Sequence, residues 1–256
     1  MSRCARRLYA VLAAAVLGCA AAAAVGLVSA NSLRTLAAFS TDMSARSIEQ
    51  RHNITRAAAA VDGIVLRPGA EFSFNRAVGV CGAARGYRLA PAIVDGELRS
   101  EWGGGVCQVS STLYNAALLA GLPITERHAH SRPVSSVPPG RDAASAFGIA
   151  DLRFVNDSGS LMKIAASVRG NRLTISILGR LAAPREVDVY TRTQGRSASR
   201  ARGLIAGGHY VLDACAHDET VLTYRVIREG RRPAVRELVS SDVYASPRPL
   251  PGQHTR

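Results

Sequence analysis

The sequence predicts an α+β fold: one domain over residues 46–180, with a central helix and antiparallel strands, followed by a small β-rich unit over 184–246. Three patterns predict it. Apolar residues recur at helical spacing in two stretches, 47–61 and 106–120. From residue 151 the apolar period changes to two, with turn residues between the runs. Beyond Pro184 that alternation resumes in a second set of strands. The 256 residues are enough to bury such a core, and a hydrophobic content of 47% excludes wholesale disorder.

At the N-terminus, Arg3, Arg6 and Arg7 precede an uncharged run from Leu8 to Ala30. A basic start before an apolar stretch reads as an export signal. The run is also long enough to serve as an uncleaved anchor, for which about 20 apolar residues suffice. Val28-Ser29-Ala30 offers a small-residue cleavage site, whereas Val16-Leu17-Gly18-Cys19 resembles a lipobox only loosely. Residues 1–30 are therefore read as a signal peptide or membrane anchor. The positive flank faces inward, so the remainder is expected outside the cytoplasmic membrane, anchored or secreted. Residues 31–45 read as a linker.

The apolar positions Ile48, Ile54, Ala57, Ala58 and Val61 predict the first helix, with Gly63 as its stop. Pro68-Gly69 is a turn, followed by a short strand at 71–74, and a strand at 92–94 leads into a turn at Asp95-Gly96. Val106, Val109, Leu113, Ala116, Ala117 and Ala120 form one stripe of the second helix, which Gly121 and Pro123 end. Pro138-Pro139-Gly140 makes a rigid bend. Strands follow at 152–156, 161–168 and 172–178, joined as a meander through Asn156-Asp157-Ser158-Gly159 and Gly170-Asn171. The second β unit takes strands at 186–191 and 209–212 and a hairpin of 221–228 with 234–238. Residues 247–256 read as a disordered tail.

The net charge is +13, and removing residues 1–30 takes away three arginines and no acid, leaving +10. Lys163 is the lone lysine, so the basicity is an arginine bias that reads as genomic composition before it reads as a nucleic-acid surface; no nucleic acid is expected as a partner. Outside the export segment the cysteines are Cys81, Cys107 and Cys215. An odd number leaves at least one free thiol. Pairing of Cys81 with Cys215 leaves Cys107 free and pairing with Cys107 silences it; the sequence leaves the choice open.

Cys107 follows Gly103-Gly104-Gly105-Val106 at the start of a helix. There the helix dipole and unpaired N–H groups favour thiolate. Amides of Gly105 and Val106 are candidates for an oxyanion site beside the sulfur, an arrangement suited to acyl transfer through a thioester. His128 and His130 are the candidate bases, expected on one face of an extended segment. Arg127, Ser131, Arg132, Arg141 and Asp142 are candidates for substrate binding, the guanidinium groups because they grip carboxylates bidentately; Asp142 is equally suited to orienting a histidine. A cysteine on an apolar helix is, against this, ordinarily a small buried hydrophobe. Cys107 with two histidines lacks the compact spacing of a zinc site, so no metal or cofactor is expected.

The run Gly103-Gly104-Gly105-Val106-Cys107-Gln108-Val109-Ser110-Ser111-Thr112-Leu113-Tyr114-Asn115-Ala116-Ala117 resembles the signature of the VanW family. Phe72-Ser73-Phe74-Asn75, Gly86-Tyr87, Glu126-Arg127-His128, His130-Ser131 and Val137-Pro138-Pro139-Gly140-Arg141-Asp142 are similar to further blocks in the family's order, over 51–178. The stretch from Thr223 to Ser240 weakly resembles the β-rich, partly G5-like tail that often follows such a domain. The resemblance implies a VanW-type domain at 46–180 in a cell-envelope protein. It also implies a cysteine-dependent L,D-transpeptidase reaction on peptidoglycan stem peptides, with Cys107 as nucleophile and His128 or His130 as base. The alternative it leaves open is a non-catalytic module that binds peptidoglycan or a glycopeptide.

Overall fold

The computed structural model describes residues 33–94, 97–198, 204–206, 209–211 and 217–245. In chain order the strands are β1 (Arg34–Asp42), β2 (Val65–Leu66), β3 (Glu71–Ser73), β4 (Leu89–Val94), β5 (Glu97–Trp102), β6 (Ile124–Glu126), β7 (Arg153–Val155), β8 (Met162–Arg169), β9 (Arg172–Gly179), β10 (Arg185–Ala198), β11 (Leu204–Ala206), β12 (His209–Val211), β13 (His217–Glu229) and β14 (Val235–Tyr244). The helices are α1 (Ile48–Val61), the short α2 (Phe74–Val78) and α3 (Val106–Leu119). The architecture is α+β. A four-stranded antiparallel sheet, ordered β1-β9-β8-β2, packs against α1 and α3. A small sheet β3-β7-β6 and the hairpin β4-β5 flank it, and β10-β13-β14 follows with the hairpin β11-β12.

Both long helices start where local chemistry favours them. Ser47 caps α1 in a full capping box: its side chain accepts from Gln50 N–H while the Gln50 side chain accepts from Ser47 N–H. Gly105 precedes α3 at φ 100°, a left-handed conformation that a side chain resists. Gly104 is held against β4 so closely that a Cβ would collide with the Ala90 carbonyl. The triple glycine is thus the point where helix and hairpin press together. The main core joins Ile54, Ala57 and Val61 of α1 with Val109, Leu113 and Ala117 of α3 and with Ile164, Leu173, Ile175 and Ile177 of the sheet, all buried.

Three sequence expectations are corrected. Residues 31–45 are not a linker: 34–42 form β1, which pairs antiparallel with β9 from Arg34↔Gly179 to Asp42↔Arg172. Its partly buried apolar residues are spaced around a register shift between Thr35 and Ala37, which blurs the period-two signal. The expected three-strand meander is divided between two sheets, because β7 pairs with β3 and β6 while β8 pairs with β9 and β2. Buried Asn156 makes the break, its Nδ2 donating to Leu66 O (3.0 Å) and Ser160 O (2.8 Å). At 71–74 the strand ends one residue early, and Phe74 opens α2. The segments read as an export signal (1–30) and as a tail (247–256) lie outside the described residues. No described helix is long and apolar enough to cross a membrane.

Deleting residues 1–42 tests the reassignment of β1. A linker would be dispensable; a strand paired along its length with β9 is not. The deletion is expected to lower the urea midpoint of unfolding, and an unchanged midpoint would restore the linker reading.

Candidate active site

Twelve of the fourteen α3 residues are buried, and Cys107, in the first turn, is an exception. The burial of polar residues on this helix is explained by what they hold. Gln108 Nε2 donates to Thr41 Oγ1 (3.0 Å) and Asp42 O (2.8 Å), and Thr112 Oγ1 meets Thr41 Oγ1 at 2.9 Å, tying α3 to β1. Toward the loop at 140–143, Ser110 Oγ donates to Ala143 O (2.6 Å), Ser111 Oγ accepts from Ala143 N–H (3.0 Å), and Asn115 Nδ2 donates to Arg141 O (2.7 Å). These bonds bracket Asp142. The helix that presents the sulfur therefore also positions the carboxylate.

Asp142 is 1% exposed, and a carboxylate so buried is tolerated only when its oxygens are satisfied. Its Oδ2 accepts from His130 N–H (2.7 Å) and from His130 Nδ1 (2.6 Å). Its Oδ1 accepts from Arg127 Nη2 (3.1 Å) and from the Tyr244 hydroxyl, which in turn accepts from Gly140 N–H (2.6 Å). Burial pushes the carboxyl up, but the bonds from His130 and Tyr244 and the charge of Arg127 outweigh it, so Asp142 stays below the usual carboxylate range.

His130 is bonded to Asp142 and lines the same groove as the thiol. Burial opposes its charged form, but hydrogen bonds to Asp142 and to Cys107, together with their charges, raise its pKa to about 9. Burial likewise opposes the Cys107 thiolate, and the hydrogen bond and charge of His130 overcome it, helped by Ser145. The sulfur lies 3.5 Å from Ser145 O and 3.7 Å from Ser145 Oγ. The net direction for Cys107 is downward. Thiolate and imidazolium thus stabilise one another, with the buried carboxylate behind them. Cys107 and His130 open onto a groove of about 350 Å³, whose walls include Arg46, Gln50, Ile93 and Ser135.

The other candidate residues are distributed differently. His128 is exposed, pairs with Glu126 Oε1 (3.0 Å) and bridges its backbone to Ala144; the segment is irregular past that point, so the expected shared face with His130 does not arise. Arg127 does not line this groove. Its guanidinium, 5% exposed, is consumed by Asp142 O (2.6 Å), Asp142 Oδ1 and Asp242, because a buried cation requires partners. Arg141 is held by Asn115 Oδ1 and Val189 O (3.1 Å) and does not line the groove. Asp142 orients His130 and does not line the groove either. Ser131 and Arg132 are also absent from its lining, and the Ser131 carbonyl accepts from Ala245 N–H (2.8 Å). Of the two oxyanion candidates, Val106 has its N–H occupied by Gly103 O (3.0 Å), and Gly105 lines the groove. Cys81 and Cys107 are both free thiols, and Cys215 lies outside the described residues. Among the described residues, no group of three or more His, Cys, Asp or Glu side chains is placed to hold a metal ion.

Sequence reasoning misses Tyr244 and Arg46. Tyr244 ends β14, and only the pairing of β13 with β14 carries it back over Gly140. Arg46 falls at the edge of the segment that reads as a linker, with no local motif to mark it.

The profile described as VanW like protein matches residues 49–178. Over 146 residues the chain is 42% identical to the uncharacterized protein YoaR of Bacillus subtilis (strain 168), covering 57% of this chain and 48% of that one. It is 32% identical over 111 residues to the vancomycin B-type resistance protein VanW of Enterococcus faecalis (strain ATCC 700802 / V583), covering 41% and 40%. The matches span less than half the length of either relative. No solved structure matches the chain.

Three outcomes are expected. Iodoacetamide should alkylate Cys107 at a pH below the ordinary thiol range, because protonated His130 favours the thiolate. In His130→Gln the burial penalty is opposed only by Ser145, so the rising limb of the pH–rate profile should move upward. The rate at pH 6.5 should then fall, by about tenfold for each pH unit the limb moves; an unchanged profile would contradict the pairing. Tyr244→Phe leaves Gly140 N–H and one lobe of the buried carboxylate short of a partner. It should cost about 1–3 kcal/mol in urea unfolding, and a wild-type midpoint would show that the hydroxyl is not needed.

Proposed function

The chain belongs to the VanW family, and from that premise we propose that it is a cysteine acyltransferase of the cell envelope acting on peptidoglycan stem peptides, an L,D-transpeptidase. The observation that carries the reading is the Cys107–His130–Asp142 relay opening onto a groove. The basic-then-apolar segment at 1–30 supports export, which would bring this site to the wall side of the cytoplasmic membrane.

In the first half-reaction the Cys107 thiolate attacks the carbonyl carbon of the stem's third residue. The carbonyl becomes an oxyanion beside Gly105 at the uncapped start of α3, where the helix dipole favours negative charge. His130 imidazolium gives its proton to the departing nitrogen, the C–N bond breaks, and the terminal D-alanine leaves as the free amino acid. What remains is a thioester on Cys107 and a neutral imidazole. In the second half an amine from a neighbouring stem attacks the thioester, His130 takes the amine proton, and the thiolate is released. Asp142 holds one ring orientation throughout and supports the imidazolium whenever it forms. The acid–base role of such a histidine is worth about 10²–10⁴-fold.

Mass spectrometry of the full chain incubated with a stem tetrapeptide tests this. One acyl adduct on Cys107 and release of D-alanine are expected, with neither in Cys107→Ala. Binding of the peptide with no adduct and no D-alanine would return the chain to the non-catalytic binding reading.

A further inference from the structure

Building on the acyl-transfer reading, we propose that Arg46 grips the free C-terminal carboxylate of the donor peptide, so that the site acts on the last peptide bond of its substrate and rejects bonds inside a longer chain.

Arg46 lies immediately before the Ser47 cap of α1 and lines the same groove as Cys107 and His130. Its Nε donates to Gln108 Oε1 (2.7 Å). Gln108 follows the nucleophile in sequence, and its amide is fixed from behind by Thr41 Oγ1 and Asp42 O. The guanidinium is therefore held by one edge to the helix that carries the sulfur. Its two terminal nitrogens have no hydrogen-bond partner among the described residues. Asp42 acts on Arg46 only through space, because its carboxylate accepts from the Ser44 hydroxyl and N–H (3.1 Å).

Three other buried or partly buried arginines of this protein are paired with acids, while Arg141 and Arg51 are held by uncharged oxygens. Arg127 is bound to Asp142 and Asp242, Arg225 to Glu237, and Arg185 to Glu229 and Asp157. Among the described residues Arg46 has no acid within ion-pair distance, and the described walls of its groove contain no Asp or Glu. Two helix starts, those of α1 and α3, meet the same groove through Gln50 and Gly105, adding positive potential. A half-buried cation kept without an ion-pair partner beside a nucleophile is suited to a substrate that supplies one.

The chemistry specifies which charge. In a peptide cut at its last bond, the terminal carboxylate is only a few bonds from the carbonyl carbon under attack. A cation in the same groove as the sulfur can hold it while the thiolate reaches the carbon. An internal bond offers a neutral amide at that place and would leave the guanidinium desolvated and unpaired. The role expected from the sequence of Arg127, Arg132 or Arg141 is thereby assigned to Arg46.

The test uses the full chain with Cys107→Ala, so that binding is read without turnover, and calorimetry with a stem tetrapeptide as its free acid and as its C-terminal amide. The acid should bind roughly 10- to 100-fold more tightly than the amide, the range for a hydrogen bond to a charged group. Adding Arg46→Gln, which keeps a donor for Gln108, should remove the preference, while Arg46→Lys should retain part of it. Equal binding of acid and amide, a preference that survives Arg46→Gln, or no binding of either peptide would overturn the proposal. The thioester assay on the unmodified chain separates the two readings. Acid preference through Arg46 with no thioester removes the acyl-transfer chemistry alone. A thioester formed equally from acid and amide removes the anchor alone.

Discussion

The site depends on one buried charge. Asp142 has almost no contact with water, and an isolated carboxylate in such a place would protonate or unfold its surroundings. It remains ionised because four donors converge on it: two from His130, one from Arg127 and one from Tyr244. Once it is ionised, the imidazole beyond it is held in one orientation and favoured as a cation, and that cation holds the Cys107 sulfur as thiolate. The contacts around the loop at 140–143 serve that arrangement. Ser110, Ser111 and Asn115 hold Arg141 and Ala143 on either side, so the carboxylate cannot retreat from the ring.

This gives the family signature a physical reading. Its glycines let α3 begin against β4, where Gly104 has no room for a Cβ, and its serines, threonine and asparagine are buried ties between the helix, β1 and the loop bearing Asp142. Cys107 at the helix start is left facing the groove. The signature describes a scaffold that holds one reactive atom more than a set of reactive groups. The C-terminal sheet belongs to that scaffold as well. Tyr244 and Asp242 of β14 complete the bonding of Asp142 and Arg127, Thr223 Oγ1 donates to Gly140 O (3.0 Å), and Arg225 Nη1 donates to Leu122 O (2.7 Å) just beyond α3.

Much of this is legible in the sequence, for reasons that also mark the limits. The two long helices have periodic apolar stripes and clear start signals, so 47–61 and 106–120 fall within a residue of Ile48–Val61 and Val106–Leu119. The β8-β9 hairpin is equally visible from its alternation and from Gly170-Asn171. Strand β1 is hidden because its register shift breaks the alternation and its partner lies far along the chain. At the site, Cys107 stands out by its glycine-rich helix start, but local pattern does not rank His128 against His130. That ranking comes from the backbone after His128, which pairs with Ala144 and brings His130 to Asp142. The arginines mislead for a related reason: a guanidinium reads the same whether it binds substrate or a buried acid, and only the contacts of Arg127 and Arg141 reveal their structural use. The helix dipole, the more obvious influence on Cys107 in the sequence, acts beside a direct local partner in His130.

The most direct test of the charge relay is a nitrogen-15 NMR titration of the His130 ring in the full chain. His130 is expected to lose its proton near pH 9, and Asp142→Asn to bring this value down sharply. A His130 that titrates near 6.5, the ordinary histidine value, and does not respond to Asp142→Asn would contradict the relay.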